Sequence, residues 1–195
     1  MTTTATAHAY FSELARRAEP RPEASARPEP PLDPHLLRDI AEGIAAADDL
    51  WREHVRHDVE ERQPVRLIAS DRWEAWVIGW TSGQHVEMHD HGHSAGYLVV
   101  TEGDLVEVTT RHGRLVHTSL PTGTAAPLPL GVVHDVAALG PERATSIHVY
   151  SPALASMTFF DDHDRPMRRD QIDDEAPVVD LRTASRALHP SQRRG

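Results

Sequence analysis

Between about residue 63 and residue 160 the apolar positions recur every second residue or gather into short β-branched and aromatic runs, the pattern of strands with one or both faces buried. Strands are predicted at 65–69, 73–80, 86–91, 96–100, 105–110, 114–119, 125–129, 132–136, 145–150 and 157–160. Turn chemistry separates them, as at Thr81-Ser82-Gly83, Glu102-Gly103-Asp104, Pro121-Thr122-Gly123 and Leu139-Gly140-Pro141. No run with helical spacing is long enough to cross over between parallel strands. The expected class is therefore mainly β, an antiparallel sandwich or barrel of the jelly-roll kind with a small N-terminal helical segment.

That helical segment begins at Asp33-Pro34, where Asp can cap unpaired backbone N–H groups and Pro suits the first helical position. Leu36, Leu37, Ile40 and Ile44 follow at helical spacing, and a second short helix is expected to carry Leu50, Trp51 and Val55. His54 and His57 would then share a helix face as a solvated or partly buried pair. Residues 1–32, broken by Pro20, Pro22, Pro28, Pro30 and Pro31, read as a flexible arm, with a short helix at 10–18 docking through Phe11 and Leu14 as its one candidate element. Beyond Asp161 the chain turns highly charged and is expected to be an irregular tail wrapping the barrel. The division is 1–32 arm, 33–165 domain and 166–195 tail.

Composition removes several functions. The chain has 195 residues, enough for one domain of about 150 residues plus tails. Its 30 acidic against 20 basic residues give a formal charge of -10, which offers no footprint for nucleic acid or an anionic membrane. Cysteine is absent, which excludes disulfides, thiolate metal sites and cysteine nucleophiles together and sets a cytoplasmic expectation. All 20 basic residues are arginine, so Schiff-base lysine chemistry is excluded as well. No apolar run of about 18 residues predicts a membrane span, and the first residues lack the apolar core of a signal peptide. The conspicuous chemical resource is 14 histidines.

Their arrangement is informative in the stretch GQHVEMHDHGHSAGYLVVTEG, Gly83 to Gly103. In an extended strand His89 and His91 project from one face and Asp90 from the other, the start of a metal site. His85, Glu87 and His93 continue the same alternation, so parity alone also allows a shifted ligand set. Further on, Ser146, His148 and Tyr150 share one strand face while Ile147 and Val149 share the other. Facing outward this is an ordinary strand; facing inward, His148 and Ser146 can orient the Tyr150 hydroxyl. His112, His117 and His163 read as surface groups.

Two spacings resemble the paired motifs of the cupin family, small β-barrels in which histidines from both motifs hold a metal. One runs through Gly83, His89, His91, Gly96 and Gly103, the other through Gly123, Pro129, Gly131 and His134. The resemblance implies His89, His91 and His134 as metal ligands. It departs at Gly96, where the general pattern has a fourth, glutamate ligand, and at Ala138, where an Asn often ends the second motif. Three neutral imidazoles leave a divalent ion its full charge and about three open positions, favouring an anionic, chelating substrate with room for dioxygen if the metal is Fe(II).

Taken together, HDHGHSAG, GVVHDV and SIHVYSP resemble bacterial members of the cysteine dioxygenase family, iron-dependent thiol dioxygenases on a cupin barrel, from roughly residue 33 to Phe160. The resemblance implies Fe(II) at His89, His91 and His134, an outer triad of Ser146, His148 and Tyr150, and oxidation of a small thiol by O2, L-cysteine foremost and 3-mercaptopropionate as the alternative. It implies an Arg on the first core strand for the substrate carboxylate. Arg66 is the match, with Arg62 and Gln63 as alternatives, because Pro64 replaces the family's aromatic residue. Trp80 matches a family tryptophan, and core packing explains it equally well. Gly96 also occupies the position of the cysteine that mammalian members cross-link to the tyrosine, so no thioether can form. A different metal-dependent cupin enzyme and a non-catalytic cupin module are the other classes. A monomer or weak dimer is expected.

Overall fold

A computed structural model describes residues 29–111, 114–161, 163–172 and 177–179. Among them, no helix is long and apolar enough to cross a membrane. Helix α1 (Pro34–Ala46) precedes β1 (Val65–Ala69), β2 (Glu74–Trp80), β3 (His85–Asp90), β4 (Ala95–Glu102), β5 (Asp104–Arg111), β6 (Arg114–Pro121), β7 (Ala125–Leu128), β8 (His134–Ala137), β9 (Ala144–Ser151), β10 (Ser156–Phe160) and β11 (Pro166–Gln171). These strands form two sheets, ordered β1-β2-β9-β4-β7 and β11-β10-β3-β8-β5-β6. Pairing between the strands is antiparallel throughout, as a jelly-roll barrel requires.

The cap at α1 is formed as its residues suggest: the Asp33 side chain accepts a hydrogen bond from the His35 N–H at 2.9 Å, with Pro34 just inside. Leu37, Ile40, Ala41 and Ile44 are buried and cluster with Ala75, Val77, Val99, Ile147 and Val149 of the five-stranded sheet. Each fully buried aliphatic side chain of this kind contributes roughly 1.5–3 kcal/mol. The helix thereby covers the apolar side of β9. Every residue of β9 is buried, and its other side joins Ile78, Trp80, Leu98 and Val100 in the barrel interior. Ser146, His148 and Tyr150 therefore look inward.

Two expectations differ from the structure. In place of a second helix there is a 3₁₀ turn, Asp48–Leu50, because Ala47 leaves helical geometry at φ -98, ψ 68. Leu50 and Trp51 still bury, but His57 packs away from His54, its Nε2 lying 3.0 Å from the Ala144 carbonyl oxygen and 3.2 Å from Thr145 Oγ1. The region past Asp161 is also not wholly irregular, since β11 pairs with β10 and Val178 bridges to Arg66 on β1. The candidate helix at 10–18 and His112 lie outside the described residues.

Candidate metal centre and its pocket

A β-bulge in β3 decides which histidines face inward. Val86 pairs with Val136 and His89 with His134, so three steps along β3 match two along β8. The extra residue reverses the alternation. Val86 lines the cavity before the bulge and His89 is buried after it, while His85, Glu87 and His93 are exposed. The shifted ligand set that parity allowed is thereby excluded. His91 sits in the turn after β3, closed by the Ser94 N–H donating to the His91 carbonyl at 3.0 Å. His134 opens β8 directly opposite His89.

These three rings converge. Their centroids are 4.8 Å apart for His89 and His134, and 5.0 Å for each of the other pairs. One nitrogen from each lies within 4.8 Å of the others, and all three residues are buried. His89 Nδ1–H donates to the Glu87 carbonyl at 2.7 Å, and His134 Nδ1–H donates to Glu107 Oε1 at 2.8 Å. Each bond fixes the tautomer that leaves Nε2 with its lone pair. The Nε2 atoms of His91 and His134 are buried with no hydrogen-bond partner among the described residues. Orphaned buried nitrogens are costly, and a first-row metal ion that takes imidazole ligands would satisfy them. Burial, reinforced by His134, lowers His89 to about 3, and burial holds His91 well below the ordinary imidazole range. Both are neutral near pH 7, the form that ligates. Glu107 escaped the sequence reading, although it shares a strand face with the fully buried Leu105.

On β9, Ser146 Oγ lies 2.9 Å from His148 Nε2, and His148 Nδ1 lies 3.1 Å from the Tyr150 hydroxyl. Trp80 Nε1–H donates to Ser146 Oγ at 2.9 Å, so the indole has a polar role beside its packing. Ser146 is fully buried, and among the described residues its hydroxyl hydrogen has one acceptor, His148 Nε2. This accounting sets the direction of the chain. Donation runs from Trp80 to Ser146 to His148 to the Tyr150 oxygen, which leaves the tyrosine's own proton for the cavity. Burial, with Glu74 adding to it, pushes the Tyr150 hydroxyl above the usual phenol range, and burial lowers His148 to about 3. The Tyr150 ring lies 4.8 Å, centroid to centroid, from that of His91, so chain and histidine cluster meet.

A cavity of about 120 Å³ opens beside them, walled by His89, His134, His148 and Tyr150 and by apolar side chains including Trp76, Ile78, Val136 and Leu154. Arg62 is the charged residue on this wall. Its guanidinium lies 5.0 Å over the Trp80 ring, its Nη1 donates to the His85 carbonyl at 3.1 Å, and its Nε is buried without a partner among the described residues. Burial lowers its pKa from the ordinary arginine value.

Arg66 is not on the cavity wall. Its Nε and Nη2 reach Glu74 Oε2 at 3.0 and 2.9 Å, both residues are buried, and Glu74 Oε1 accepts from the Leu154 N–H at 2.9 Å. The Arg66 guanidinium, expected to meet the substrate carboxylate, is thus engaged by a carboxylate of the chain's own. Gln63 is exposed and turns to Asp58 at 3.3 Å.

A two-sheet barrel with three inward histidines beside an aromatic-lined cavity defines a cupin with a candidate metal centre. The chain belongs to the cysteine dioxygenase type I family, whose model matches residues 31–163. Among solved structures, an uncharacterized conserved protein with a double-stranded β-helix domain from Klebsiella pneumoniae is 23% identical at a TM-score of 0.51, covering 55% of this chain and 86% of its own. An RmlC-like cupin protein from Desulfovibrio desulfuricans is 20% identical at a TM-score of 0.45, covering 52% and 92%. The first likeness is one of fold. The family match ends before β11, so β11 and the cavity residue Ile172 lie beyond it.

Proposed function

We propose that the protein is an iron-dependent thiol dioxygenase that uses O2 to convert a small thiol carboxylate, L-cysteine first and 3-mercaptopropionate as the alternative, to its sulfinate. The observation that carries this reading is the meeting of the three-histidine cluster, the Tyr150 end of the hydrogen-bonded chain and the Arg62 guanidinium around one cavity. The donor set fits the metal: three buried imidazoles, two of them with unpartnered Nε2 atoms. Iron(II) held by His89, His91 and His134 would supply the redox chemistry that adds both oxygen atoms to sulfur.

The chain's own residues do the rest. Arg62 takes the substrate carboxylate, and its buried Nε gains the acceptor that no described residue provides. This pairing fixes where the sulfur lies relative to the histidines. Tyr150, neutral because its hydroxyl is raised, donates a hydrogen bond into the cavity. His148, Ser146 and Trp80 hold that hydroxyl in place. The apolar wall excludes water and strengthens the pairing between Arg62 and the anion.

The deciding experiment is oxygen uptake by iron-loaded protein with L-cysteine, 3-mercaptopropionate and cysteamine as separate substrates, with sulfinate quantified. The two carboxylates should be oxidised and cysteamine, which lacks one, should be a poor substrate. Iron binding without thiol-dependent uptake for any of the three would overturn the dioxygenase reading in favour of a different cupin enzyme or a binding module.

A further inference from the structure

The three-histidine set contains no carboxylate, yet one stands directly behind it. Glu107 on β5 reaches across the β5–β8 ladder, where Thr109 is opposite His134, and its Oε1 accepts from His134 Nδ1–H at 2.8 Å. Both side chains are largely withdrawn from water, at 14% and 2% exposure. Among the described residues no arginine pairs with Glu107, so its charge is directed at His134. His89 differs, because its Nδ1–H goes to the neutral Glu87 carbonyl.

We infer that Glu107 is a positioning residue of the metal centre, which holds His134 with its Nε2 lone pair aimed at the ion and lends negative charge to a ligand set that otherwise has none. A carboxylate hydrogen-bonded to a ligating histidine fixes the ring and makes it the stronger donor. Gly96 leaves the fourth ligand position without a side chain, and Glu107 returns part of the missing charge through the imidazole. The open coordination positions needed by a chelating substrate stay open. The inference rests on the proposed metal centre and not on the identity of the thiol.

The test uses the full chain, loaded anaerobically with Fe(II), and three variants. Glu107→Gln keeps the size and an acceptor oxygen but loses the charge; Glu107→Leu loses both; Glu107→Asp keeps the charge on a shorter stem. Affinity for Fe(II), read by competition with a chromophoric chelator, should fall about tenfold in Glu107→Gln and about a hundredfold in Glu107→Leu. The Fe(III)/Fe(II) potential should move positive in both, because removing negative charge favours the reduced ion. Glu107→Asp should stay nearer the wild type in both measurements. Wild-type affinity and potential in the Gln variant, with only the melting temperature of the metal-free protein lowered, would reduce Glu107 to packing and overturn the inference. Should the Leu variant fail to fold, the comparison of Gln with Asp still decides. A wild-type protein that binds Fe(II) but oxidises no thiol would sink the dioxygenase reading and leave this one standing.

Discussion

Gly96 lies directly across the β4–β9 ladder from Tyr150, and a Cβ placed on it would come within 2.4 Å of the Val149 carbonyl oxygen and 2.9 Å of Tyr150 Cδ1. Neither neighbour is the loose end of a flexible side chain. One is backbone in a fully buried strand, and the other is a ring held by its bond to His148 and its packing on His91. The glutamate of the general cupin pattern or the cysteine of a cross-linked relative could not enter here without displacing β9. Gly96→Ala is therefore expected to cost about 1–3 kcal/mol of stability, the range for overpacking a buried site. It should also lower kcat by shifting Tyr150, with Fe(II) affinity nearly unchanged. Thermal melts of the metal-free protein and steady-state oxygen uptake check this, and an unaltered melt would mean that β9 yields easily.

The direction assigned to hydrogen bonding from Trp80 through Ser146 and His148 to Tyr150 makes graded demands. Tyr150→Phe removes the proton offered to the cavity and should lower kcat by about a hundredfold or more, the lower end of what a positioned proton donor supplies. Trp80→Phe removes only the outermost donor, a bond of about 1 kcal/mol, and should lower kcat by less than about tenfold. Equal losses in the two variants would show that the chain acts as a unit and would overturn the graded order.

The two arginines, Arg62 half-buried and Arg66 buried, separate cleanly by experiment. Arg62→Leu should raise KM for L-cysteine and 3-mercaptopropionate at least about tenfold by removing a charge-assisted pair, with little effect on cysteamine, which has no carboxylate. Arg66→Leu strips the fully buried Glu74 of its partner, which costs about 3–5 kcal/mol for a buried ion pair, so its signature is a lowered melting temperature. A rise in KM with normal stability for Arg66→Leu would return the carboxylate to that residue.

Why the sequence favoured Arg66 is instructive. Strand positions are legible because period-two runs end at turn residues, and the polar face of β9 is legible because Ser146, His148 and Tyr150 alternate with Ile147 and Val149 without interruption. What a linear pattern cannot carry is which neighbour a buried charge meets. Glu74, on the next strand, claims Arg66, whereas Arg62, ahead of β1, is brought to the cavity by packing over Trp80. The bulge in β3 is hidden for a related reason, since an inserted residue leaves no mark in composition. Simple alternation places His85, Glu87 and His89 on one face, and the fold separates them. Glu107 was readable by parity with Leu105, but its partner lies 27 residues further along the chain. The second helix failed because apolar spacing at Leu50, Trp51 and Val55 describes burial equally well in a turn.

Acid sensitivity follows from the buried imidazoles. His148 sits at about 3 in the folded protein against 6.5 for an ordinary histidine, because burial disfavours its charged form. Between those values the unfolded chain binds a proton that the native state refuses. Stability is thus fully present above about pH 6.5 and falls as the pH drops toward 3, by about 1.4 kcal/mol per pH unit for each such group. His89, also at about 3, adds its own share in the metal-free protein, and His91 shifts in the same direction. Urea unfolding of the metal-free protein at pH 7.5, 6.0 and 5.0 should show a steady loss of stability below about pH 6.5. His148→Gln removes one titrating group. Its stability at pH 7.5 should be lower, through weakened bonds to Ser146 and Tyr150, while its decline with acid should be shallower by one group's share. A decline parallel to that of the wild type would mean that native His148 takes up its proton over the same pH range as the unfolded chain, so that burial does not hold it neutral.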